Sequence, residues 1–326
     1  MVKKILITGG CGFVGRHLVK RLSQDLENQI TIVDDLSTGL PIEKLPEHLK
    51  CEIHEVIYGD CVQFFNDRFE KFDDVFHLAA IVEGRTTIEN NPLKVAKDLT
   101  IDSQLFNWAL KTRPGKIIYF SSSAVYPIKY QTKQFHMPLR EDMVSFKQNR
   151  IDMPDMSYGW SKLTGEYLSR LAADKYGLRV AIYRPFSGYG EDQALTYPFP
   201  AIIKRVINRE IPIEVWGDGM QSRDFVYIED CIDCILSTYE KIDNAGALNI
   251  GSGKKTTFLE LIKLACEINE VEFSIKPLLN KPVGVFARYC DVEKQKSFGF
   301  YPRHSLENGI NIVCEYLRNN KLRGKS

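Results

Sequence analysis

The sequence predicts an α/β fold: a doubly wound parallel sheet accompanied by a second, smaller α/β domain. In the first half of the chain, short runs rich in β-branched residues alternate with longer, helix-like segments. A glycine-rich turn directly follows the first of these runs. Because strands that alternate with helices are joined by right-handed crossovers, we expect parallel strands with helices on both faces of the sheet.

Six strands are predicted in the first half, and each ends near a Gly, Asp, Ala, Ser or Pro residue. They are KKILITG, ITIVDD, CEIHEVIYGD, DVFHLAA, KIIYFSS and LRVAIYRP. Helix-like segments such as FVGRHLVKRLSQ and LFNWALKT lie between them. After Pro185 the elements shorten, and turn signals occur at GYGEDQ, WGDGMQ and IGSGKK. We therefore expect one domain over residues 1–185 and a smaller one over 186–326, with some segments of the second returning to the first.

The composition limits the classes of function. The chain has 326 residues, of which 44% are hydrophobic and 26% charged, and its formal net charge of +1 gives no reason to expect a nucleic-acid partner. The longest largely apolar run, Val75 to Val82, is far shorter than the ~20 residues of a membrane span. The start MVKKILITGG enters a strand without a cleavage-site pattern, so no signal peptide is expected. These features favour a cytoplasmic protein.

The cysteines give no clear sign of a metal site. All eight are scattered through a long chain, so free thiols are expected. Cys231 and Cys234 form a CxxC pair inside YIEDCIDCILSTYEK, which has the pattern of one amphipathic helix. Because no second pair completes a zinc site, structural thiols are favoured over metal ligands and no metal is expected.

The glycine-rich turn has the spacing of a dinucleotide-binding site. Gly9, Gly12 and Gly15 form GxxGxxG between a predicted strand and a predicted helix. The three glycines permit a tight turn, a close approach of the backbone to a pyrophosphate, and close packing of the helix on the strand. The start of the helix offers free N–H groups and a partial positive charge to the phosphates. This context predicts a Rossmann domain.

Two aspartates at strand ends refine the choice of cofactor. Asp34 ends the second strand, 19 residues after Gly15, where a carboxylate can accept hydrogen bonds from the adenosine ribose. A carboxylate repels a 2′-phosphate, and DDLSTG contains no arginine, so NAD is favoured over NADP. Asp60 ends the third strand, where it either meets the adenine edge or caps the strand end.

A tyrosine and a lysine have the spacing of a catalytic pair. Tyr158 and Lys162 stand four residues apart in SYGWSKLTGEYLSRLA, which places them on one face of a helix. A free tyrosine has a pKa of ~10, and lowering it by ~3 units requires ~4 kcal/mol of preferential stabilisation of the phenolate. A nearby ammonium, together with a positive nicotinamide ring, is the expected source. A third member is expected among Ser121, Ser122 and Ser123, after KIIYF.

The ordered set of motifs resembles one family along nearly the whole chain. The motifs GGCGFVG, VDDLSTG, FHLAA, FSSSAVY, YGWSK, RPFSGYG, GDGMQSRDFVYIEDC and NIGSG occur in this order between residue 3 and about residue 316. Together they resemble the extended short-chain dehydrogenase/reductase family of NAD-dependent nucleotide-sugar epimerases and dehydratases. The resemblance implies a triad of Ser122, which stands four positions before Tyr126, with Tyr158 and Lys162. It also implies a homodimer through helices around residues 95–112 and 157–176.

The resemblance implies contacts for the cofactor and the nucleotide sugar. Residues expected to contact NAD are Gly9, Gly12, Phe13, Val14, Gly15, Asp34, Asp35, Asp60, Cys61, Leu78, Ala79, Ala80, Tyr158, Lys162, Arg184 and Pro185. Residues expected to contact the substrate are Arg85, Ser122, Ser123, Tyr158, Ser187, Arg223 and Arg288. Arg223 and Arg288 align with arginines that hold the diphosphate, for which guanidinium groups are well suited. Arg85 resembles an arginine of uronic-acid 4-epimerases and is expected to face the sugar.

The two residues after Ser122 favour one reaction within the family. The 4,6-dehydratases have Asp-Glu there, the decarboxylases have Glu second, and the 3,5-epimerases and epimerase-reductases have Cys second, whereas this chain has Ser123-Ala124. The resemblance therefore implies epimerisation of a nucleotide-activated hexose or uronic acid at C4, through a transient 4-keto sugar. A dehydratase, decarboxylase or 3,5-epimerase with other acid/base groups is the alternative. A non-catalytic NAD(H)-binding regulator is a second alternative.

Three features depart from the family pattern. Ser187 stands where RPxNxYG has Asn, and Asp98 stands where an Asn is common near the nicotinamide. The polar, irregular segment 127–156 is longer than in common 4-epimerases. A loop of this length is usually functional or mobile, and it could serve as a lid, a dimer contact or a specificity loop.

Overall fold

A seven-stranded parallel sheet forms the centre of the molecule. The structure is a computed structural model, and it describes residues 2–82, 85–147 and 150–323. The sheet contains β1 (Lys3–Thr8), β2 (Asn28–Asp34), β3 (Glu55–Tyr58), β4 (Asp74–His77), β5 (Lys116–Phe120), β6 (Val180–Pro185) and β11 (Gly246–Ile250). Its order is β3-β2-β1-β4-β5-β6-β11, and all six pairings are parallel. The predicted doubly wound sheet is confirmed.

Helices connect the strands and cover the sheet. They are α1 (Phe13–Leu22), α2 (Cys61–Asp67), α3 (Arg85–Asn90), α4 (Lys97–Thr112), α5 (Met156–Tyr176), α6 (Pro198–Ile207), α7 (Ile228–Thr238), α8 (Phe258–Ile268), α9 (Glu293–Ser297) and α10 (Leu306–Arg323). Several ends follow known capping rules: α5 ends at Gly177 in the left-handed conformation, and Thr257 and Glu260 form a capping box at the start of α8.

The side chains of β1 show why both faces of the sheet are covered. Successive residues of a strand point to opposite faces. Ile5 and Ile7 join the hydrophobic cluster that contains side chains of α1 and α7, whereas Leu6 joins the cluster with α2, α4 and α5. All three β1 residues are almost fully buried. The sheet is therefore a middle layer between two helical layers, as expected for parallel strands.

The C-terminal half adds three small sheets beside the large one. Their strands are β7 (Ser187–Tyr189), β8 (Ile213–Trp216), β9 (Ser222–Arg223), β10 (Phe225–Tyr227), β12 (Thr256–Thr257), β13 (Ile275–Leu278) and β14 (Ala287–Arg288). The sheets pair β10 with β7, β13 with β8, and β12 and β14 with β9. Side chains of α6, α8 and α10 join the same hydrophobic cluster as Ile5 and Ile7. The two halves therefore share a continuous core.

The 127–143 segment is fixed against the C-terminal half. Leu139 N–H donates to the carbonyl of Tyr289 (2.9 Å), and Asp291 N–H donates to the carbonyl of Leu139 (3.0 Å). The Gln131 carbonyl accepts from the N–H groups of Phe286 (2.9 Å) and Ala287 (3.2 Å). The segment that the sequence indicates as a long irregular loop thus consists of short turns here, and its backbone pairs with residues 286–291.

Two charge clusters tie elements together in the interior. Arg184 of β6 and Glu166 of α5 are both fully buried, and the guanidinium donates to both carboxylate oxygens (2.8 and 2.6 Å). His17 of α1 lies between Asp192 (Nε2 to Oδ1, 2.8 Å) and Glu229 (Nδ1 to Oε1, 3.0 Å). Burial alone would lower the pKa of His17, but the hydrogen bonds with these two carboxylates raise it to about 9.

Membrane segments and metal clusters were also considered in the described part of the chain. None of its helices has the length and apolar character needed to cross a bilayer. Nor do its His, Cys, Asp and Glu side chains form a group of three or more that could hold a metal ion. All eight cysteines are free, and Cys231 and Cys234 are buried on α7.

Candidate active site

The glycine-rich turn is closed so tightly that side chains are excluded. Gly9 has a φ of +73°, and a Cβ atom there would lie 2.7 Å from the backbone nitrogen of Ala79. A Cβ atom on Gly15 would lie 2.2 Å from the carbonyl oxygen of Gly9. The turn leads into α1 at Phe13, with Gly12 as a cap that has no side chain. The N–H groups of the first helical turn lack intrahelical acceptors and can bind an anion.

Asp34 lies at the end of β2, next to this turn. Its Oδ2 accepts from the N–H of Cys11 (2.9 Å), and its Oδ1 accepts from the N–H of Leu36 (2.8 Å). Each carboxylate oxygen has further lone pairs, so these bonds leave acceptor capacity for ribose hydroxyls. The predicted contacts Leu78, Ala79 and Ala80 directly follow β4, and the close approach of Ala79 to Gly9 brings both predicted sets together.

A lysine links two of the predicted cofactor residues at the ends of β2 and β3. Lys97 Nζ lies 3.0 Å from Asp60 Oδ2 and 3.9 Å from Asp35 Oδ2. Asp60 also caps α2, since its side chain accepts from the N–H of Val62 (2.9 Å). Of the two roles that the sequence left open for Asp60, the capping role is therefore present. Its contact with the cofactor stays a prediction. Cys61 is buried, and burial raises the pKa of its thiol to about 12.

The three proposed triad residues converge at the end of β5. Ser122 lies two residues after the end of β5, and its side-chain oxygen accepts from the N–H of Ala124 (3.1 Å). Its hydroxyl is also hydrogen-bonded to the phenol of Tyr158, which belongs to the first turn of α5. Tyr158 and Lys162 share one face of this helix, as the sequence predicts. Ser123 and Ala124 form a buried turn beside them.

Lys162 is buried, and no residue in the described part of the chain forms an ion pair with it. The side chain is 2% exposed, and its ammonium lies 5.3 Å from the centre of the Tyr119 ring. Within the part of the chain that the structure describes, Lys162 makes neither a hydrogen bond nor a salt bridge. A buried ammonium normally has such partners, so this geometry indicates a group that receives them from a ligand.

The protein by itself raises the pKa of Tyr158 instead of lowering it. The dense surroundings of the phenol raise its pKa, the charge of Asp98 raises it further, and the hydrogen bond from Ser122 lowers it. Lys162 and a positive nicotinamide ring would favour the phenolate, whereas the carboxylate of Asp98 opposes it. With the carboxylate included, lowering of the pKa depends on the positive charge of the bound cofactor.

Two arginines lie side by side on neighbouring strands of a small sheet. Arg223 of β9 is in register with Arg288 of β14. Arg288 donates to Asp155 Oδ2 (2.7 Å) and to Gln131 Oε1 (2.6 Å). Arg223 donates only to backbone carbonyls, those of Ser222 (2.8 Å), Val285 (3.0 Å) and Val283 (3.5 Å), among the described residues.

The charge of Arg223 is poorly compensated. Burial lowers the pKa of Arg223, and the charge of Arg288 contributes, so that its pKa is about 9. No described carboxylate lies within ion-pair distance of its guanidinium. A half-buried cation without an ionic partner among the described residues carries a desolvation cost, and an anionic ligand would reduce this cost.

Arg85 joins the same cluster through Asp155. Its guanidinium lies 3.3 and 3.5 Å from the two Asp155 oxygens and also donates to Glu89 (2.7 Å). Although burial would raise the pKa of Asp155, the charges of Arg288 and Arg85 lower it. Arg85, which the sequence predicts to face the sugar, is therefore already engaged with two carboxylates. Its contact with the sugar stays a prediction. The residues just before it, 83–84, lie outside the described part of the chain.

Other predicted contacts lie at the edge of the site or behind it. Arg184 directs its guanidinium to Glu166, Tyr126 and the carbonyl of Glu141, so only its backbone is available to a ligand. Pro185 ends β6 beside β11, and Ser187 begins β7 and donates its N–H to the carbonyl of Asp224 (3.0 Å). The side chain of Arg184 thus has a buried structural role, and the contact of this residue with the cofactor stays a prediction.

The sequence analysis missed two residues of the site. Asp155 joins Arg85 and Arg288, and Gln131 orients Arg288 from the 127–143 segment. Asp155 stands only three residues before Tyr158, which could have drawn attention to it. Gln131 carries no local signal, because its role arises from the pairing of a loop with a distant strand.

These features define a class of protein: a nicotinamide-dependent enzyme of the short-chain dehydrogenase/reductase type, in which a buried tyrosine and lysine lie beside a dinucleotide turn. Residues 5–251 match the NAD dependent epimerase/dehydratase family, and the chain belongs to this family. The family depends on NAD, and the side-chain-free turn at Gly9 and Gly15 and the unpaired ammonium of Lys162 fit that cofactor.

Similar proteins with more specific names cover the chain almost completely. It is 28% identical to the uncharacterized UDP-glucose epimerase YtcB of Bacillus subtilis, over 96% of this chain and 98% of that protein. It is 27% identical to the UDP-N-acetyl-α-D-glucosaminuronate decarboxylase of Bacillus cytotoxicus, over 98% of both chains. Sequence relatives thus include more than one reaction of the family.

Solved structures of two 4-epimerases have the same fold. The UDP-glucose 4-epimerase of Thermotoga maritima, solved with UDP-glucose, superposes with a TM-score of 0.82 at 28% identity, covering 98% of this chain and 99% of that one. The UDP-glucuronic acid 4-epimerase of Bacillus cereus, solved with UDP-glucuronic acid and NAD, gives a TM-score of 0.80 at 25% identity, covering 97% and 99%.

Proposed function

We propose that the protein is an NAD-dependent 4-epimerase of a nucleotide-activated hexose or uronic acid, and that the nucleotide is uridine diphosphate. The observation that carries this proposal is the Ser122–Tyr158–Lys162 group followed by Ser123 and Ala124. Alanine cannot transfer a proton, so the acid/base residue that distinguishes dehydratases, decarboxylases and 3,5-epimerases is missing from its usual place. The similarity to 4-epimerases of UDP-sugars supports the same choice.

The roles of the residues follow from their chemistry. NAD, when bound, would supply the acceptor for the hydride of the sugar carbon and the donor for its return. Ser122 hydrogen-bonds the phenol of Tyr158 and the reacting hydroxyl, and so orients one toward the other. Tyr158 takes the hydroxyl proton and gives it back after the 4-keto sugar has turned over in the site. Lys162 binds the cofactor ribose with its free ammonium and keeps a positive charge near the phenol.

The arginine cluster binds the diphosphate of the substrate. Arg223 has no carboxylate partner in the described chain, and Arg288 shares Asp155 with Arg85. A diphosphate would give both Arg223 and Arg288 charge-assisted hydrogen bonds. Because Arg85 is already paired with two carboxylates, a sugar carboxylate is not needed to balance it, and both hexoses and uronic acids remain candidate substrates.

The experiment is a product analysis with defined substrates. Purified protein is incubated with UDP-glucose, UDP-galactose, their N-acetylamino forms and the two uronic acids, and the configuration at C4 is followed by NMR. Inversion at C4 is expected with at least one pair. Loss of water or of carbon dioxide would identify a dehydratase or a decarboxylase instead. A protein that binds NAD but never shows NADH absorbance on sugar addition would be the non-catalytic regulator.

We also propose a cytoplasmic homodimer. The eight free thiols suit a reducing compartment. Exposed apolar side chains remain on the predicted contact helices: Leu99 of α4 and Trp160 and Tyr167 of α5 are each at least 40% exposed. Sedimentation analysis of the wild type and of a Trp160→Glu variant tests this contact, because a buried charge should shift the mass toward the monomer.

A further inference from the structure

Helix α4 carries two aspartates that lie directly behind the catalytic pair. Asp98 and Asp102 are four residues apart and therefore lie on the same face of the helix. Both are at most 1% exposed. Buried carboxylates are rare unless they are paired or strongly hydrogen-bonded, so two in one place require an explanation.

Asp102 has a structural explanation. Its Oδ2 accepts from the hydroxyl of Tyr119 (2.6 Å), and its Oδ1 lies 3.2 Å from His77 Nε2. His77 Nδ1 is in turn 2.8 Å from the hydroxyl of Thr8. These hydrogen-bonded groups link β1, β4, β5 and α4, and they provide partners for both oxygens of the Asp102 carboxylate.

Asp98 is placed differently, because its contacts lead to the catalytic helix. Its Oδ1 accepts from the N–H of Ile81 (2.7 Å), and its Oδ2 lies 3.3 Å from the hydroxyl of Ser161. The same hydroxyl donates to the carbonyl of Tyr158 (2.9 Å). Ser161 directly precedes Lys162. Asp98 thus contacts the helical turn that carries both catalytic side chains, and it has no ion-pair partner within 4 Å among the described residues.

The charges in this region oppose each other. Burial raises the pKa of Asp98 to about 6 while the Lys162 charge lowers it, so Asp98 is largely anionic at neutral pH. Burial also keeps His77 neutral by lowering its pKa. The charges that act on Asp98 are those of Lys162 of α5 and Asp102 of α4, and Asp102 also acts on the phenol of Tyr158. Around them, His77 of β4 lies against Asp102, and Tyr119 of β5 is influenced by Asp98, Asp102 and Glu166 of α5. Lys162 is the single cation of this set.

We propose that Asp98 is a positioning residue that controls the protonation of Tyr158: it fixes the Tyr158–Lys162 turn through Ser161 and opposes ionisation of the phenol. Its negative charge offsets that of Lys162, so the protein alone keeps the tyrosine protonated. This inference rests on the proposed function in that Tyr158 is the base of the reaction. The carboxylate of Asp98 opposes ionisation of the phenol through its charge, whereas a neutral amide at this position would not.

The test is the Asp98→Asn variant, which retains an oxygen acceptor for Ile81 and removes the charge. In the holoenzyme, the rate at which a UDP-sugar reduces bound NAD is measured against pH in single turnover. The acidic limb, where the protonated phenol is inactive, should move to lower pH by about one unit or more, because removal of a nearby anion favours the phenolate. The plateau rate at high pH should change only a few-fold.

Three variants serve as controls. Asp98→Glu keeps the charge and should keep the wild-type limb. Asp102→Asn removes a charge from the same helix but one already satisfied by Tyr119 and His77, so its shift should be smaller. If Asp98→Asn does not fold, as judged by near-ultraviolet circular dichroism, Asp98→Ser removes the same charge with a smaller side chain.

A second measurement does not depend on turnover. The ultraviolet absorbance of tyrosinate is titrated in each protein with and without NAD, and the curve of the matching Tyr158→Phe variant is subtracted to isolate Tyr158. The isolated midpoint should be lower in Asp98→Asn than in the wild type. An unchanged or raised midpoint and limb would overturn the proposal for Asp98. If no sugar reduces NAD in the wild type, the proposed function fails while this titration still decides the role of Asp98.

Discussion

The two charged regions of the site have opposite compositions. Behind Tyr158, the carboxylates of Asp98 and Asp102 accompany one lysine, Lys162. On the substrate side, Arg85 and Arg288 contact Asp155, and Arg223 lies next to Arg288. Among the described residues, Glu89, which pairs with Arg85, is the one further carboxylate in contact with these arginines. One region therefore carries excess negative charge and the other excess positive charge.

The difference corresponds to the two ligands of the family. An oxidised nicotinamide is a cation, and a region with excess carboxylate attracts it, whereas a diphosphate is an anion that suits excess arginine. Balanced pairs elsewhere in the protein, such as Arg184 with Glu166, carry no such excess. We therefore expect changes in unbalanced regions to alter binding and catalysis, and changes in balanced pairs to alter stability.

Tyr158→Phe should have the largest effect, because it removes the only proposed base from the acid-rich region. We expect turnover to fall by about 10²–10⁴-fold, the range for loss of a general base, with NAD still bound. Stopped-flow absorbance of NADH after sugar addition measures this loss. Tyr176→Phe, at the exposed end of the same helix, is the matched control. Turnover close to that of wild type would refute the assignment of the base.

Arg184→Met should affect stability rather than binding. It leaves the Glu166 carboxylate charged in the interior, which typically costs about 3–5 kcal/mol of unfolding free energy. Urea unfolding measures the cost, and calorimetry with UDP should give an unchanged affinity for the folded protein. The double variant Arg184→Met/Glu166→Leu should recover much of the loss, since no charge then remains unpaired. A single variant that costs under about 1 kcal/mol would contradict this interpretation of the pair.

The His17 cluster gives a prediction for pH dependence. Because the pKa of His17 is raised to about 9 in the folded protein, its stabilising contribution is complete below ~6.5, the pKa of an unfolded histidine, and is lost as the pH rises through 9. At 1.4 kcal/mol per unit, the loss is about 3 kcal/mol. Denaturant unfolding between pH 6 and 10 should show a shallower decline in His17→Gln than in the wild type. Equal slopes would show that His17 is not held between the two carboxylates.

Arg223→Met should separate binding from stability in the arginine-rich region. Affinity for UDP should fall about 10–100-fold, since charge-assisted hydrogen bonds contribute about 1.5–3 kcal/mol. The unfolding free energy should stay about equal, because Arg223 is only partly buried and its guanidinium has no carboxylate partner among the described residues. Calorimetry with UDP and urea unfolding give the two values, with Arg140→Met at the exposed surface as the control. A loss of stability equal to the loss of affinity would argue for a structural role instead.

The parts of the fold that depend on local sequence were predicted correctly. The strands, the glycine turn and the Tyr158–Lys162 spacing follow from periodicity and from the geometry of one helix or one turn. Such features involve residues within a few positions of each other, so sequence alone is sufficient to recognise them.

The features that the sequence could not provide arise from contacts between distant segments. Asp98 was noted as an unusual residue, but its proximity to Tyr158, 60 positions later, depends on how α4 packs on α5. Asp155 owes its role to the convergence of α3 and β14, and Gln131 to the pairing of its loop with residues 286–287. The influence of Asp98 on the pKa of Tyr158 could not be predicted for the same reason.

The 127–143 segment has a consequence for engineering. Gln131 fixes one side of Arg288, and the backbone of the segment fixes the strand that carries this arginine. A chimera that exchanged this stretch for a shorter one from a relative would release the guanidinium and add an ordering cost to every binding event. Directed evolution of sugar preference should therefore leave this stretch intact and diversify the residues around Ser123 and Ser187.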